Sequence, residues 1–333
     1  MSAAEPNRSR GRRWIPWAKW GLTLVILGVV LQRAASLWNQ DELQTLEFEP
    51  GWLLASAVLY FCGWLPSVWY WQRLLHAVGD DCDTPLLLRA YFAGHLGKYI
   101  PGKATVLLIR AGILKEAGHR AGSGGLTAAY ESLGAMASGG LVGAMLAPMV
   151  LPVSTWERAP HFLQSLRSNM WLWCLLWLVG TLLSLPFISR LFSHVAARSV
   201  GRPDGEATGR WAISPALLFY GLLAMSAGWW LHGLSLACVL QSMGADMLRL
   251  DVWPVTTAAA ALATVLGFVA LFAPGGVGIR EFVLLEILQV QPGVTEVQAV
   301  ATTIVVRLVW LATEVFAAVT LNLLLGRRNS GTD

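Results

Sequence analysis

Charge is what this chain lacks most. Lys, Arg, Asp and Glu make up 13% of its 333 residues, about half the share usual in water-soluble domains. Against this, 55% of the residues are hydrophobic and the mean hydropathy is +0.55. No polar stretch is long enough to build a core-forming soluble domain, so any chemistry must take place in or at a bilayer. Cysteine is also scarce. Cys62, Cys82, Cys174 and Cys238 are isolated, with no CxxC spacing, which excludes a disulfide framework and a zinc motif and leaves four small hydrophobes. The six histidines show no HExxH or comparable spacing, so neither a metal nor another cofactor is expected. A GK[ST] ending is missing, which excludes a nucleotide-hydrolysing P-loop. Paired acidic or nucleophilic groups are few beyond Glu131, Glu286 and Glu314, and the expectation is a protein that is not an enzyme.

What the sequence has in quantity is apolar length. Runs near 14–35, 51–72, 124–151, 170–189, 214–240 and 297–325 are each long enough to cross about 30 Å of hydrocarbon at about 1.5 Å per residue. Two more apolar stretches, 85–109 and 253–290, are interrupted by Pro-Gly. The fold class expected is therefore all-α: a polytopic transmembrane helical bundle of six full spans plus two Pro-Gly-broken re-entrant hairpins. Residues 1–13 form a basic tail, 14–325 a single transmembrane domain with halves at about 14–151 and 170–325, and 326–333 a second tail. The 14–35 run is too long for the apolar core of a cleaved signal and reads as a retained anchor. Residues 200–210, rich in Gly and polar groups, are the one plausible linker.

Basic residues assign the sides. Lys and Arg number five at the N-terminus, one in 73–84, three in 110–120, four in 190–213 and two at the C-terminus, fifteen in all, against Arg158, Arg167 and Arg249 in the opposite segments. The excess places both termini in the cytoplasm. The net charge of +4 is thus a topology signal, with no nucleic-acid partner implied. The seventeen tryptophans gather near span ends, as an interfacial belt does.

Under this topology the second half repeats the first in the same order and opposite orientation, an inverted repeat with a broken helix in each half. Pro101 and Gly102 break the first of these helices, and Pro274, Gly275 and Gly276 the second. A helix broken in lipid leaves backbone groups unpaired at a cost of several kcal/mol each, so each break must lie against protein or water and marks a cavity. Lys98 and Lys103 flank the first break, and Arg280 and Glu281 open the helix after the second. Cations beside a free helix N-terminus suit an anionic group such as a lipid phosphate. The bland readings are lysines that snorkel to headgroups and a solvated outward loop at Arg280.

Glu131 lies about eight residues into its span and Arg307 about ten into the last, both near mid-membrane depth, where an unpaired charge costs at least ~2.5 kcal/mol. Glu131 with Arg307 is the pair expected, with Glu314, two turns further along the same face, as a second acceptor for Arg307. A coupling role and a purely structural one are equally open for this pair. Gly134-xxx-Ser138 and Gly139-xxx-Gly143 are spaced for close helix contact.

GKYIPGK (97–103), then Arg110, YES (130–132), APGGVGIRE (273–281) and Arg307 together resemble the lysylphosphatidylglycerol synthase transmembrane-region family, related to the membrane half of the bacterial multiple peptide resistance factor. The similarity spans about residues 14–325. The resemblance implies translocation of an anionic lipid or lipid-linked molecule between leaflets, with a site at the two broken helices that includes Lys98, Pro101, Gly102, Lys103, Arg110, Glu131, Pro274, Gly275, Gly276, Arg280, Glu281 and Arg307. Membrane lipids are the implied partners. An accessory or enzyme of lipid-linked glycan or envelope-lipid synthesis, working with a glycosyltransferase, is the alternative. Where the family often carries Glu-Arg, this chain has Glu131-Ser132. The soluble aminoacyl-transferring domain of the resistance factor has no counterpart in these residues, so lysyl transfer is not expected.

Overall fold

The computed structural model describes residues 46–99, 104–151, 153–199, 213–270, 276 and 278–326, and every regular element among them is helical. The helices are α1 (Pro50–Ala77), α2 (Thr84–Leu96), α3 (Thr105–Glu116), α4 (Ala121–Val150), α5 (Val153–Glu157), α6 (His161–Arg167), α7 (Met170–Ser199), α8 (Pro215–Gln241), α9 (Trp253–Val269), α10 (Ile279–Leu288) and α11 (Glu296–Gly326). Five of them, α1, α4, α7, α8 and α11, are long and apolar enough to cross a membrane. The expected span at 14–35 and the linker at 200–210 lie outside the described residues.

Local sequence sets the helix starts. Helices α1, α2, α8 and α9 each have proline in the first turn, where its missing N–H would have had no partner anyway. At α8 the Ser214 hydroxyl also accepts the Leu217 N–H at 3.1 Å. The helices α1 and α8 end alike: Gly79 and Gly244 take positive φ values of 66° and 81° just past them, the left-handed turn that glycine adopts at little cost.

The centre of the molecule is the crossing of α1 and α8, and glycine makes it possible. A Cβ on Gly228 would lie 2.4 Å from the Gly63 carbonyl oxygen, so the two backbones touch. Seven residues before Gly63, the Ser56 hydroxyl meets the Ser235 hydroxyl at 2.9 Å, seven residues after Gly228. Seven residues after Gly63, the Tyr70 ring fills the space over Gly221, seven before Gly228. Forward steps on one helix are backward steps on the other, so α1 and α8 run antiparallel.

The packing around them repeats. Helix α2 lies on α11 as α9 lies on α4; α4 packs on α1 and α8, and so does α11. The two arms of each interrupted stretch, α2 with α3 and α9 with α10, pack against each other. Corresponding elements of the halves are thus related by an approximate two-fold, with the paired α1 and α8 reversed in direction. Helix α7 stands at the edge against α4 and α8, with Leu183 and Phe187 exposed at 75% and 71%. Such apolar surface is what acyl chains cover. The small residues of α4 receive side chains: Gly139 faces the Trp229 ring, Gly143 the Leu262 side chain, and Gly134 both Met225 and Tyr70.

Candidate functional site

Polar groups gather on both sides of the α1–α8 crossing. The first centre joins both interrupted stretches to α11. Gly97–Tyr99 form a turn of 3-10 helix that continues α2 toward the first break. From this turn Lys98 reaches Glu314 on α11 at 2.5 Å, and the Tyr99 hydroxyl donates to the other oxygen of Glu314 at 3.1 Å. Tyr60 of α1 also donates to Glu314. Glu314 is 1% exposed, and three donors from two elements make its burial tolerable.

Arg307 and Trp310 share the Glu314 face of α11, three or four residues apart along it. Arg307 bonds Glu281 in the first turn of α10. The other Glu281 oxygen accepts the Gly278 N–H at 2.6 Å, so this carboxylate caps its own helix. Arg280 lays its guanidinium over the Trp310 ring, 4.5 Å from the centroid. Trp310 in turn stacks on Tyr60 at 4.4 Å and 10°. Gly276, with φ 71°, meets Gly267 of α9 so closely that a Cβ would sit 3.0 Å from its Cα.

The second centre is drier. Arg110 of α3 holds Glu131 of α4 at 2.6 Å, with the two side chains 1% and 2% exposed. The Tyr91 hydroxyl donates to the same carboxylate at 3.0 Å, and the Arg110 guanidinium lies over the Tyr91 and Trp71 rings at 4.0 and 5.1 Å. Gly94 makes the room, since a Cβ there would stand 2.5 Å from Cγ of Arg110. An aromatic column links the centres: His95, 3.4 Å from Arg110 Nη2, packs on Trp64, which packs on His232, which packs on Tyr60.

The expected pairing of Glu131 with Arg307 does not occur; each takes another partner. Glu131 has Arg110, and Arg307 has Glu281. Nor does Glu314 serve Arg307; it belongs to Lys98 and the two tyrosines. Equal depth says nothing about which way round the bundle a side chain points, and α11 presents its charged face to α10 and to the Gly97–Tyr99 turn. Arg110, counted above with the loop cations, lies inside α3 because that helix runs on to Glu116. Of the other expected site residues, Lys98, Gly276, Arg280, Glu281 and Arg307 border the first centre. Pro101, Gly102, Lys103, Pro274 and Gly275 lie outside the described residues. The N-terminus expected to cradle a phosphate at α10 is already held by Glu281. Tyr60, Tyr99, His95, His232 and Trp310 were not anticipated; only the i, i+3, i+7 spacing of Arg307, Trp310 and Glu314 could have signalled one of them.

The family model described as the lysylphosphatidylglycerol synthase TM region matches residues 17–317. The chain belongs to that family. In this member the described parts of the segments that carry the resemblance, 97–99, 130–132, 276 and 278–281, border the two charged centres, and the apolar helices with the family make it a membrane protein tied to lipid modification or transport. No curated protein matches the chain.

Proposed function

We propose that the protein carries an anionic lipid or lipid-linked molecule between the leaflets of a bacterial cytoplasmic membrane, as a transporter and not as an enzyme. Both termini then lie in the cytoplasm and the two interrupted stretches enter the bilayer from opposite faces. The single observation behind this reading is that ends of both interrupted stretches meet α11 in one charged centre, Lys98–Glu314 from one and Arg280, Glu281–Arg307 from the other. Two of the five long apolar helices, α1 and α11, supply side chains to it. Charges at such depth are costly and mark substrate or ion pathways in membrane proteins. Antiparallel counterparts α1 and α8 are what alternating access by rocking two inverted halves requires.

Purified protein in proteoliposomes, with fluorescent phosphatidylglycerol in both leaflets and dithionite outside, tests this. The protein should raise bleaching beyond the outer-leaflet half seen in empty vesicles, and Arg307→Gln should slow it at least about tenfold, as loss of a buried charge partner would. Bleaching that stops at the outer-leaflet half with every anionic lipid would end the reading.

A further inference from the structure

We propose that Arg280 is the seat of a singly charged phosphodiester, and that the first centre selects its ligand by charge count; this rests on the transport reading above. Among the described residues three cations, Lys98, Arg280 and Arg307, stand against two carboxylates, Glu281 and Glu314. Both carboxylates are taken, one by Lys98 and one by Arg307. Among the described residues no carboxylate comes within ion-pair reach of Arg280, whose guanidinium is held half-buried over Trp310. Arg280 feels the positive charge of Arg307 as well as the negative charge of its neighbour Glu281, and Lys98 feels both arginines beside its own partner Glu314. An arginine cannot escape by losing its proton, so the described part of the centre is one negative charge short.

The shape of the deficit narrows the ligand. Guanidinium presents a planar fork that binds two oxygens sharing one charge, which is the arrangement of a phosphodiester's free oxygens. A phosphomonoester carries about −1.5 to −2 at neutral pH and would leave surplus charge in a low-dielectric site. A zwitterionic headgroup would bring an ammonium where both acceptors are already engaged. The α10 N-terminus is no competitor, since Glu281 occupies it. The Tyr60–Trp310 stack under the guanidinium fixes the seat without adding charge.

Ligand-induced shifts in thermal unfolding of the full chain in detergent test this, with dihexanoyl phosphatidylglycerol (a diester), dihexanoyl phosphatidic acid (a monoester), dihexanoyl phosphatidylethanolamine (a zwitterion) and glycerophosphoglycerol (the diester without acyl chains). The diester lipid should bind about tenfold tighter than the other two lipids, the lower end of what a hydrogen bond to a charged group contributes. Arg280→Gln should remove that preference and Arg280→Lys keep part of it. Glu314→Gln raises the surplus to two and should turn the preference toward phosphatidic acid. Lys98→Met added to Glu314→Gln returns it to one and should restore the diester. Equal or tighter binding of phosphatidic acid or phosphatidylethanolamine by the native chain, or a diester preference unmoved in both Arg280→Gln and Glu314→Gln, would overturn the proposal. A shift with glycerophosphoglycerol equal to that with the lipid would keep the charge rule and make a soluble diester the ligand. Diester binding without leaflet exchange would sink the transport reading and leave the charge rule standing.

Discussion

Replacing Arg110 by Met, Glu131 by Gln, and both together probes the driest part of the molecule. The pair is 2.6 Å apart with neither side chain more than 2% exposed, so neither partner can turn to water when the other is lost. Without Arg110 the carboxylate keeps the Tyr91 hydroxyl at 3.0 Å and Ser132 at 3.3 Å, two neutral donors for a full charge. Without Glu131 the guanidinium keeps two aromatic faces, each contributing about 0.5–2 kcal/mol. Breaking a buried pair from one side costs about 3–5 kcal/mol, whereas replacing both charges by neutral groups of similar volume is often close to neutral. Each single variant should therefore lose about 3–5 kcal/mol, Arg110→Met the more, and the double variant should fall short of their sum by at least about 2 kcal/mol. Reversible SDS unfolding in mixed micelles, followed by tryptophan fluorescence, measures all four forms. Single-variant costs below about 1 kcal/mol, or costs that simply add, would refute the claim that the two charges depend on each other.

Further outcomes follow from the same geometry. Gly228→Ala would place a Cβ 2.4 Å from the Gly63 carbonyl; backbone cannot yield there, so α1 and α8 must separate, and the unfolding midpoint should fall far more than in Gly180→Ala, where nothing stands within 4 Å. In the α1–α2 connection, burial alone would raise the Asp80 carboxyl, but the Ser123 hydroxyl, His119 at 2.8 Å and Arg120 outweigh it and hold it below the usual carboxylate range. A depressed carboxyl contributes stability above its unfolded value, about 3.9, and loses it as pH falls through the folded one. Asp80→Asn should therefore cost stability at pH 7 and flatten the acid limb below about pH 4 in a melting series; an unchanged acid limb would contradict this. Tyr60→Phe removes one of three donors to Glu314 and should cost about 1–3 kcal/mol in the same SDS titration, the range for a buried acceptor losing a partner.

Five of the six expected apolar spans, and the helix ends on either side of the two interruptions, were legible because a bilayer imposes length and forbids unpaired backbone, and both constraints write themselves into composition and Pro-Gly placement. The halves' correspondence was legible for the same reason. The charge partners were not. Depth along a span can be counted from its ends, which placed Glu131 and Arg307 near the same level, but azimuth depends on which helices touch. The α3–α4 and α10–α11 contacts, not the α4–α11 relation, set those pairs. Arg110 was misplaced because a polar residue near the end of an apolar run looks like a boundary, when Gly94 had in fact opened space for it inside. The histidines gave no signal at all: His95 and His232 lie in apolar helices with no motif, and only the fold stacks both on Trp64.

The account depends most on the halves being opposed in the membrane, and sided cysteine labelling measures that directly. Asp81 follows α1 and Asp246 follows α8, so antiparallel helices put them on opposite faces. With Cys62, Cys82, Cys174 and Cys238 replaced by Ala, Asp246→Cys should react with an impermeant maleimide in intact cells, and Asp81→Cys only after permeabilisation. Labelling of both positions from the same side would contradict the inverted arrangement and the shared site built on it.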